Sequence, residues 1–174
     1  MEPRIKAVAV AGRRYPWAAV GRVRDALALH LQRLREATLV SSAAAGTDLV
    51  ALALARDLGM PRRIVLPSAP AVFRAGSVVD RNEEQWGKLF DELAGGSASD
   101  LILLGSDLDA ADPYLAANEE ILRQALQLAS TPAAAVALLV WDGKRRQTGT
   151  DYSAEFCHSA QARGVRVIEQ IVAV

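Results

Sequence analysis

The sequence predicts an α/β protein, a three-layer sandwich with a mostly parallel central sheet. Short apolar runs alternate with longer helical patterns along the whole chain. Several of these runs are almost continuously apolar, as is typical of strands buried on both faces of a parallel sheet. Aromatic residues make up only 5% of the chain. Small aliphatic side chains therefore dominate, and they favour helices packed closely on a sheet.

Six apolar runs are the predicted strands, at 7–11, 38–41, 63–67, 100–105, 135–141 and 165–171. The helical patterns between them cover 17–35, 47–58, about 80–94, 113–129 and 151–163. Strands that alternate with helices of this length indicate βαβ units, so the architecture is predicted to be Rossmann-like. We find no internal repeat or low-complexity linker, and 1–174 is predicted to be a single domain.

The composition limits which partners and which cellular compartment are expected for the protein. Twenty Lys+Arg balance twenty Asp+Glu, which argues against nucleic acid and against an anionic membrane as partners. The lone Cys157 excludes an intramolecular disulfide and fits a reducing cytosol. The apolar run near the N-terminus is too short for a signal peptide or a membrane span. We expect a cytoplasmic protein.

The segment 68–82, "SAPAVFRAGSVVDRN", is predicted to be the longest irregular stretch. Loops of this length are uncommon in compact domains and often form lids or binding loops. Because the segment follows the third strand, we expect it at the carboxyl edge of the sheet. Open α/β sheets bind their ligands at that edge.

The first candidate binding turn follows the first strand. Gly12 ends the strand, and Arg13 and Arg14 come before the next helix. Glycine lets the backbone approach a ligand, and a helix start offers free N–H groups. Arg13 is suited to binding a phosphate with its forked guanidinium. The alternative is a plain turn with solvated arginines. The dinucleotide-binding pattern Gly-x-Gly-x-x-Gly is absent.

The second candidate turn follows the second strand, where Gly46-Thr47-Asp48 opens a helix of small and apolar residues. Small side chains allow the backbone to turn tightly beneath a ligand. Asp48 has two candidate roles. It either accepts hydrogen bonds from ribose hydroxyls or ligand N–H groups, or it caps the helix.

The third candidate turn follows the fifth strand, which ends with Trp141 and Asp142. A helix is predicted to begin near Asp151, so the N–H groups of Gly149, Thr150 and Asp151 are placed to cradle an anion. Thr150 adds a hydroxyl donor or serves as the N-cap. The cations at 144–146 form either a basic rim for the site or a solvated loop.

The sequence predicts no metal site and no cofactor. His30 and His158 are the only histidines, and neither lies at a metal-ligand spacing from Cys157 or from the other histidine.

Four segments resemble one family in order along nearly the whole chain: "AGRRYP", "SSAAAGTDLVALALARDLG", "IVLP" and "VWDGKRRQTGTDYSAEFCHSAQARGVRVI". They are similar to the SLOG superfamily of Rossmannoid proteins. That superfamily includes the LOG phosphoribohydrolases, the DNA-processing Smf proteins and nucleotide-sensor domains of bacterial defence systems. The resemblance implies a homodimer and a cleft that binds a nucleotide or nucleotide-derived small molecule. The positions that match the family's motifs are Gly12, Arg13, Gly46, Asp48, Trp141, Asp142, Gly149 and Thr150.

The sequence also departs from the catalytic members of that superfamily. Arg13 replaces a histidine and Thr148 replaces a glycine. Glu155 lies two residues beyond the position of the enzymes' glutamate, which is a rotation of about 200° around a helix. Asp151 is the nearer carboxylate.

Ligand sensing is therefore the favoured function. The alternative is a LOG-like N-glycosidase acting on nucleoside monophosphates, with Asp151 or Glu155 stabilising an oxocarbenium-like state. A DNA-binding relative of Smf is disfavoured by the zero net charge.

Overall fold

The computed structural model describes residues 2–95, 99–104 and 112–174. The strands are β1 (Ala7–Gly12), β2 (Thr38–Ser41), β3 (Arg62–Leu66), β4 (Ser99–Leu103), β5 (Ala135–Trp141) and β6 (Arg166–Ile171). The α-helices are α1 (Val20–Arg33), α2 (Thr47–Asp57), α3 (Pro70–Ser77), α4 (Glu84–Ala94), α5 (Pro113–Ala129) and α6 (Tyr152–Ala162). Short 3-10 turns precede α1 and β5. Gly105, the predicted end of the fourth strand, lies outside the described residues.

The six strands form one sheet in the order β4-β3-β2-β1-β5-β6, and every pair is parallel. The chain steps outward from β1 to β4 and then returns to the other side of β1 as β5. This reversal is a topological switch point, where open α/β sheets form a crevice outside the carboxyl ends of their strands. The predicted fold class is confirmed.

Two hydrophobic cores lie on opposite faces of the sheet. Alternate residues of β1 serve different cores because successive side chains of a strand point to opposite faces. Val8 and Val10 pack with α1, α2 and α4, whereas Ala7 and Ala9 pack with α5 and α6. The result is the three-layer sandwich that the apolar runs predicted.

The prediction that 68–82 is irregular was wrong, because α3 occupies Pro70–Ser77. Proline is well suited to the first turn of a helix, where its fixed φ fits and its missing N–H costs nothing. Phe73 and Ser77 lie one turn apart and are both buried. The helix is too short to show a clear repeating apolar pattern in the sequence. It brings its buried face to the carboxyl edge of the sheet.

Candidate anion-binding site

A cavity of about 290 Å³ opens at the carboxyl end of β1. Its floor is formed by Ala11 and Gly12 at the end of the strand and by the β1–α1 turn. The β2–α2 turn, α3, α5 and the start of α6 provide the walls. This is the crevice that the topological switch point creates, so the cavity lies where ligand binding is expected in this architecture.

Three arginines make one side of the cavity basic, and two of them belong to predicted turns: Arg14 to the first candidate turn and Arg146 to the cations at 144–146. Arg14, Arg81 and Arg146 all line it. Arg14 binds Asp80 at two points, with distances of 3.0 Å and 2.6 Å. Its buried Nε has no hydrogen-bond partner among the described residues. Arg81 donates to the carbonyl of Arg14 at 3.0 Å. Partial burial and then the charge of Arg14 lower the pKa of Arg81.

Arg13 is a clamp that closes the base of the cavity. Its guanidinium binds the Asp151 carboxylate at two points, NH1 to Oδ1 at 2.5 Å and NH2 to Oδ2 at 3.0 Å. Nε donates to Asp142 at 3.1 Å, and NH2 also donates to the carbonyl of Lys144 at 2.5 Å. The hydrogen bond to Asp151 is the largest effect that raises the pKa of Arg13. The sequence suggested that the Arg13 guanidinium binds a phosphate, but in this structure the guanidinium binds Asp151.

Asp151 is the N-cap residue of α6 and is 8% exposed. Burial raises its pKa, but hydrogen bonds from Arg13 and from the backbone N–H groups of Arg146 and Ala154 outweigh that effect. The net pKa lies well below the usual range, so Asp151 is an ionised structural carboxylate. Glu155, the other catalytic candidate, is half-buried in the first turn of α6 and does not line the cavity.

Asp48 lines the cavity from the first turn of α2 and is half-buried. Burial raises its pKa to about 7, against opposing effects from the backbone of Ala44, from Ser41 and from the charge of Arg14. Gly46 occupies the N-cap position, so the alternative role of Asp48 as the helix cap was wrong. A carboxyl that titrates near neutral pH inside a cleft is a candidate functional group.

Two predicted glycines are required by close packing. A Cβ on Gly12 would lie 2.1 Å from the Val140 carbonyl, and one on Gly46 would lie 2.3 Å from the Tyr15 nitrogen. Gly46 also has a φ of +100°, where side chains other than hydrogen are strained. These contacts press the β1–α1 turn against β5 and α2. Gly12 lines the cavity, whereas Gly46 is not one of its lining residues.

The predicted residues of the third turn lie outside the cavity lining. The guanidinium carbon of Arg13 lies over the Trp141 ring, 5.4 Å from the ring centroid. Trp141 Nε1 donates a hydrogen bond to Glu169 at 2.8 Å. Gly149 and Thr150 are exposed. The structure therefore brings together Gly12, Arg13 and Asp48 in the cavity, with Asp142 behind Arg13. The binding roles of all eight positions stay predictions.

Sequence reasoning missed the polar and aromatic wall opposite the arginines. Tyr114 and Tyr152 place their rings 5.4 Å apart, and the Tyr114 hydroxyl lies 2.9 Å from Ser77 Oγ. Asn118 donates to the carbonyl of Tyr152 at 3.0 Å. Buried Phe73 completes the lining. The one available signal was the spacing of Tyr114 and Asn118, one turn apart near the start of a helix.

Two kinds of feature are not found within the described ranges. No helix there is long and apolar enough to cross a membrane. No group of three or more His, Cys, Asp or Glu side chains in that part of the chain is arranged to hold a metal ion.

Three solved structures align with most of this chain. DNA processing protein A (DprA) from Streptococcus pneumoniae aligns with a TM-score of 0.48 and 15% identity over 94% of this chain. The alignment spans only 58% of the DprA chain. DprA from Helicobacter pylori, whose structure gives insights into its single-stranded DNA binding mode, aligns with a TM-score of 0.46 and 16% identity. This alignment covers 94% of this chain and 75% of the DprA chain. The Moco carrier protein from Chlamydomonas reinhardtii aligns with a TM-score of 0.40 and 15% identity, over 94% of this chain and 89% of its own chain. No protein-family model and no curated protein sequence matches the chain.

Proposed function

We propose that this protein binds a nucleotide, or a nucleotide-derived phosphate of similar size, in the cavity at the end of β1. One observation carries the proposal: Arg14, Arg81 and Arg146 converge on one side of that cavity. Guanidinium groups bind phosphate through planar, charge-assisted hydrogen bonds.

The charge balance of this side favours an anion. Asp80 neutralises Arg14, and Arg13 is paired with Asp151 and Asp142. Arg81 and Arg146 form none of the ion pairs found among the described residues. Their mutual repulsion, which contributes to the lowered pKa of Arg81, is relieved when a phosphate lies between them.

The opposite wall suits the nucleoside part of such a ligand. The rings of Phe73, Tyr114 and Tyr152 offer apolar faces for a base, and Asn118 and Ser77 offer polar groups to its edge or to ribose. The cavity volume of about 290 Å³ is close to the lower limit of small-molecule pockets, which is about 300 Å³. A cavity of this size has room for about one nucleotide.

The finer assignment belongs to the same proposal. The motifs that resemble the SLOG superfamily support a sensor or carrier of a nucleotide-derived signal, acting in the cytoplasm as a homodimer. In this proposal the arginines bind the phosphate, and Gly12 keeps the floor of the cavity open.

N-glycosidic cleavage of a nucleoside monophosphate is the second candidate function, and Asp48 favours it. Asp151 is committed to the Arg13 clamp, and Glu155 does not line the cavity. Asp48 does line it, and its pKa of about 7 is close to the optimum for general acid–base catalysis near neutral pH. Under this alternative, Asp48 acts as the general acid–base, a different role from the oxocarbenium stabilisation that the sequence assigned to Asp151 or Glu155.

Calorimetric titration with AMP, GMP, CMP and UMP tests the proposal, with the four nucleosides as matched controls. We expect at least one nucleotide to bind at least tenfold more tightly than its nucleoside. Release of ribose 5-phosphate in the same samples would select the glycosidase over the sensor. Binding of a single-stranded oligonucleotide, with no binding of any of the four nucleotides, would contradict the proposal.

A further inference from the structure

Asp48 shares the cavity with the arginines but is paired with none of them. It takes part in none of the ion pairs within the described part of the chain. The carboxyl is half-buried and stands directly before seven apolar, buried residues of α2, at 49–55. Asparagine has nearly the same shape and would avoid burying a charge at this place. Hydrogen bonds with the backbone of Ala44 and with Ser41 leave the carboxyl without a paired cation, so it is available to a ligand in the cavity.

We propose that a phosphate-bearing ligand enters this cavity together with one proton, which Asp48 takes up, so that binding weakens as the pH rises through neutrality. This inference rests on the proposed function. An ionised Asp48 and a phosphate within one cavity of about 290 Å³ would repel each other. Protonation removes that repulsion and leaves an O–H group that donates a hydrogen bond to the ligand.

Arg14 couples the two groups. Its positive charge is one of the effects that hold down the pKa of Asp48. Its buried Nε has no hydrogen-bond partner among the described residues, and we infer that this N–H turns to a phosphate oxygen when the ligand enters. A phosphate bound there offsets the charge that Asp48 experiences from Arg14. Loss of this attraction and the added negative charge both raise the pKa of Asp48, so both favour uptake of a proton.

Among the described residues that line the cavity, no other group is expected to exchange a proton in the same pH range. Guanidinium groups keep their charge throughout it, and burial, followed by the hydrogen bond to Asp112, raises the pKa of Tyr152. The charged or titratable groups that share the cavity with Asp48 are Arg13, Arg14, Arg81, Arg146, Tyr114 and Tyr152. Proton exchange on binding is therefore assigned to Asp48 and to the ligand itself.

The test is calorimetric titration of AMP into the wild-type protein and Asp48→Asn, in two buffers with different ionisation enthalpies. Free AMP titrates in the same way in both experiments, so the difference between the proteins counts the protons whose uptake depends on Asp48. If binding raises the pKa of Asp48 by about one unit, the wild type takes up about half a proton more per AMP near pH 7.5. Its affinity relative to Asp48→Asn also falls roughly five- to tenfold between about pH 5.5 and 8.5.

A second measurement needs no variant. The phosphodiester of 3′,5′-cyclic AMP carries no proton that exchanges near neutral pH, so any proton taken up on its binding comes to the protein. We expect uptake near pH 7.5 and none near pH 5.5. Equal proton counts for the wild type and Asp48→Asn would overturn the inference, and so would proton release, which marks Asp48 as a carboxylate acceptor. Failure of both nucleotides to bind the wild type would instead refute the proposed function, and the inference with it.

Discussion

Arg13 and Asp151 form a buried two-point ion pair across 138 residues of sequence, with distances of 2.5 Å and 3.0 Å. The pair ties the end of β1 to the start of α6. Asp151 also accepts a hydrogen bond from the backbone N–H of Arg146 at 2.8 Å. Because Arg146 lines the cavity, this hydrogen bond links the ion pair between Arg13 and Asp151 to the position of a cavity residue. The integrity of the candidate site therefore depends on a contact at its base.

We expect Arg13→Leu to lower the free energy of unfolding by about 3–5 kcal/mol, because it leaves the buried charge of Asp151 without its partner. Arg13 and Asp151 are 6% and 8% exposed, so solvent cannot replace the lost contact. Urea denaturation measures the effect. Arg24→Leu is the control, since Arg24 pairs with Asp57 at an exposed site and such pairs contribute about 0–1 kcal/mol. If Arg13→Leu lowered the free energy of unfolding by as little as Arg24→Leu, the ion pair between Arg13 and Asp151 would not be structural.

Asp48→Asn is expected to stabilise the unliganded protein at pH 8 and to have little effect near pH 4. The folded pKa of about 7 lies above the unfolded value of about 3.9. The unfolded chain therefore releases its proton first, and stability is lost as the pH rises towards and through the folded pKa. At about 1.4 kcal/mol per pKa unit, the gain on substitution is at most about 4 kcal/mol. Thermal unfolding of both proteins across this pH range measures it, and a constant difference would contradict the raised pKa.

Gly12→Ala is expected to destabilise the fold by about 1–3 kcal/mol or more, because its new methyl group would overlap the carbonyl of Val140 and the side chain of Thr47. Gly76→Ala is a matched control in another glycine of the cavity lining, where an added Cβ meets no atom within 4 Å. We expect Gly76→Ala to keep or slightly raise stability, since alanine favours helices. Equal thermal midpoints for the two variants would contradict the packing at the floor.

Arg145 and Arg146 are neighbours in sequence with different expected effects on AMP binding. Arg146 lines the main cavity, whereas Arg145 borders a separate cavity beside Trp141 and His158. Both are exposed, so we expect Arg146→Ala to weaken binding by only about 0–1 kcal/mol, and less at high salt. Arg145→Ala should leave the affinity unchanged. Calorimetry at two salt concentrations measures both, and a larger effect of Arg145→Ala would place the ligand elsewhere.

The fold followed from sequence because its main signals are local. The runs that became β1 and β5 are apolar throughout, and each ends at the position where polar residues begin. A buried parallel strand needs this pattern regardless of its neighbours. Helix α3 was missed because its eight residues give no clear period. Its burial is decided by the sheet edge on which it packs.

The candidate site was less predictable because it is built from contacts between distant segments. Gly12 and Asp48 were found from strand-to-helix turns, which are local features. The partners of Arg13 lie 129 and 138 residues away, and no spacing rule connects them. The contribution of Arg81 and Tyr114 depends on the topology that brings α5 and the segment after α3 to the end of β1. The sequence alone could not assign Arg13 to the clamp and Arg14 to the cavity.

A crystal structure of the protein with AMP shows directly where the nucleotide binds. We expect the phosphate in the cavity at the end of β1, within hydrogen-bonding distance of Arg14 Nε and of the guanidinium groups of Arg81 or Arg146. The base is predicted to lie against Tyr114 and Tyr152. A phosphate held by the backbone N–H groups of Gly149 and Thr150 outside the cavity, with the cavity itself free of AMP, would contradict this expectation.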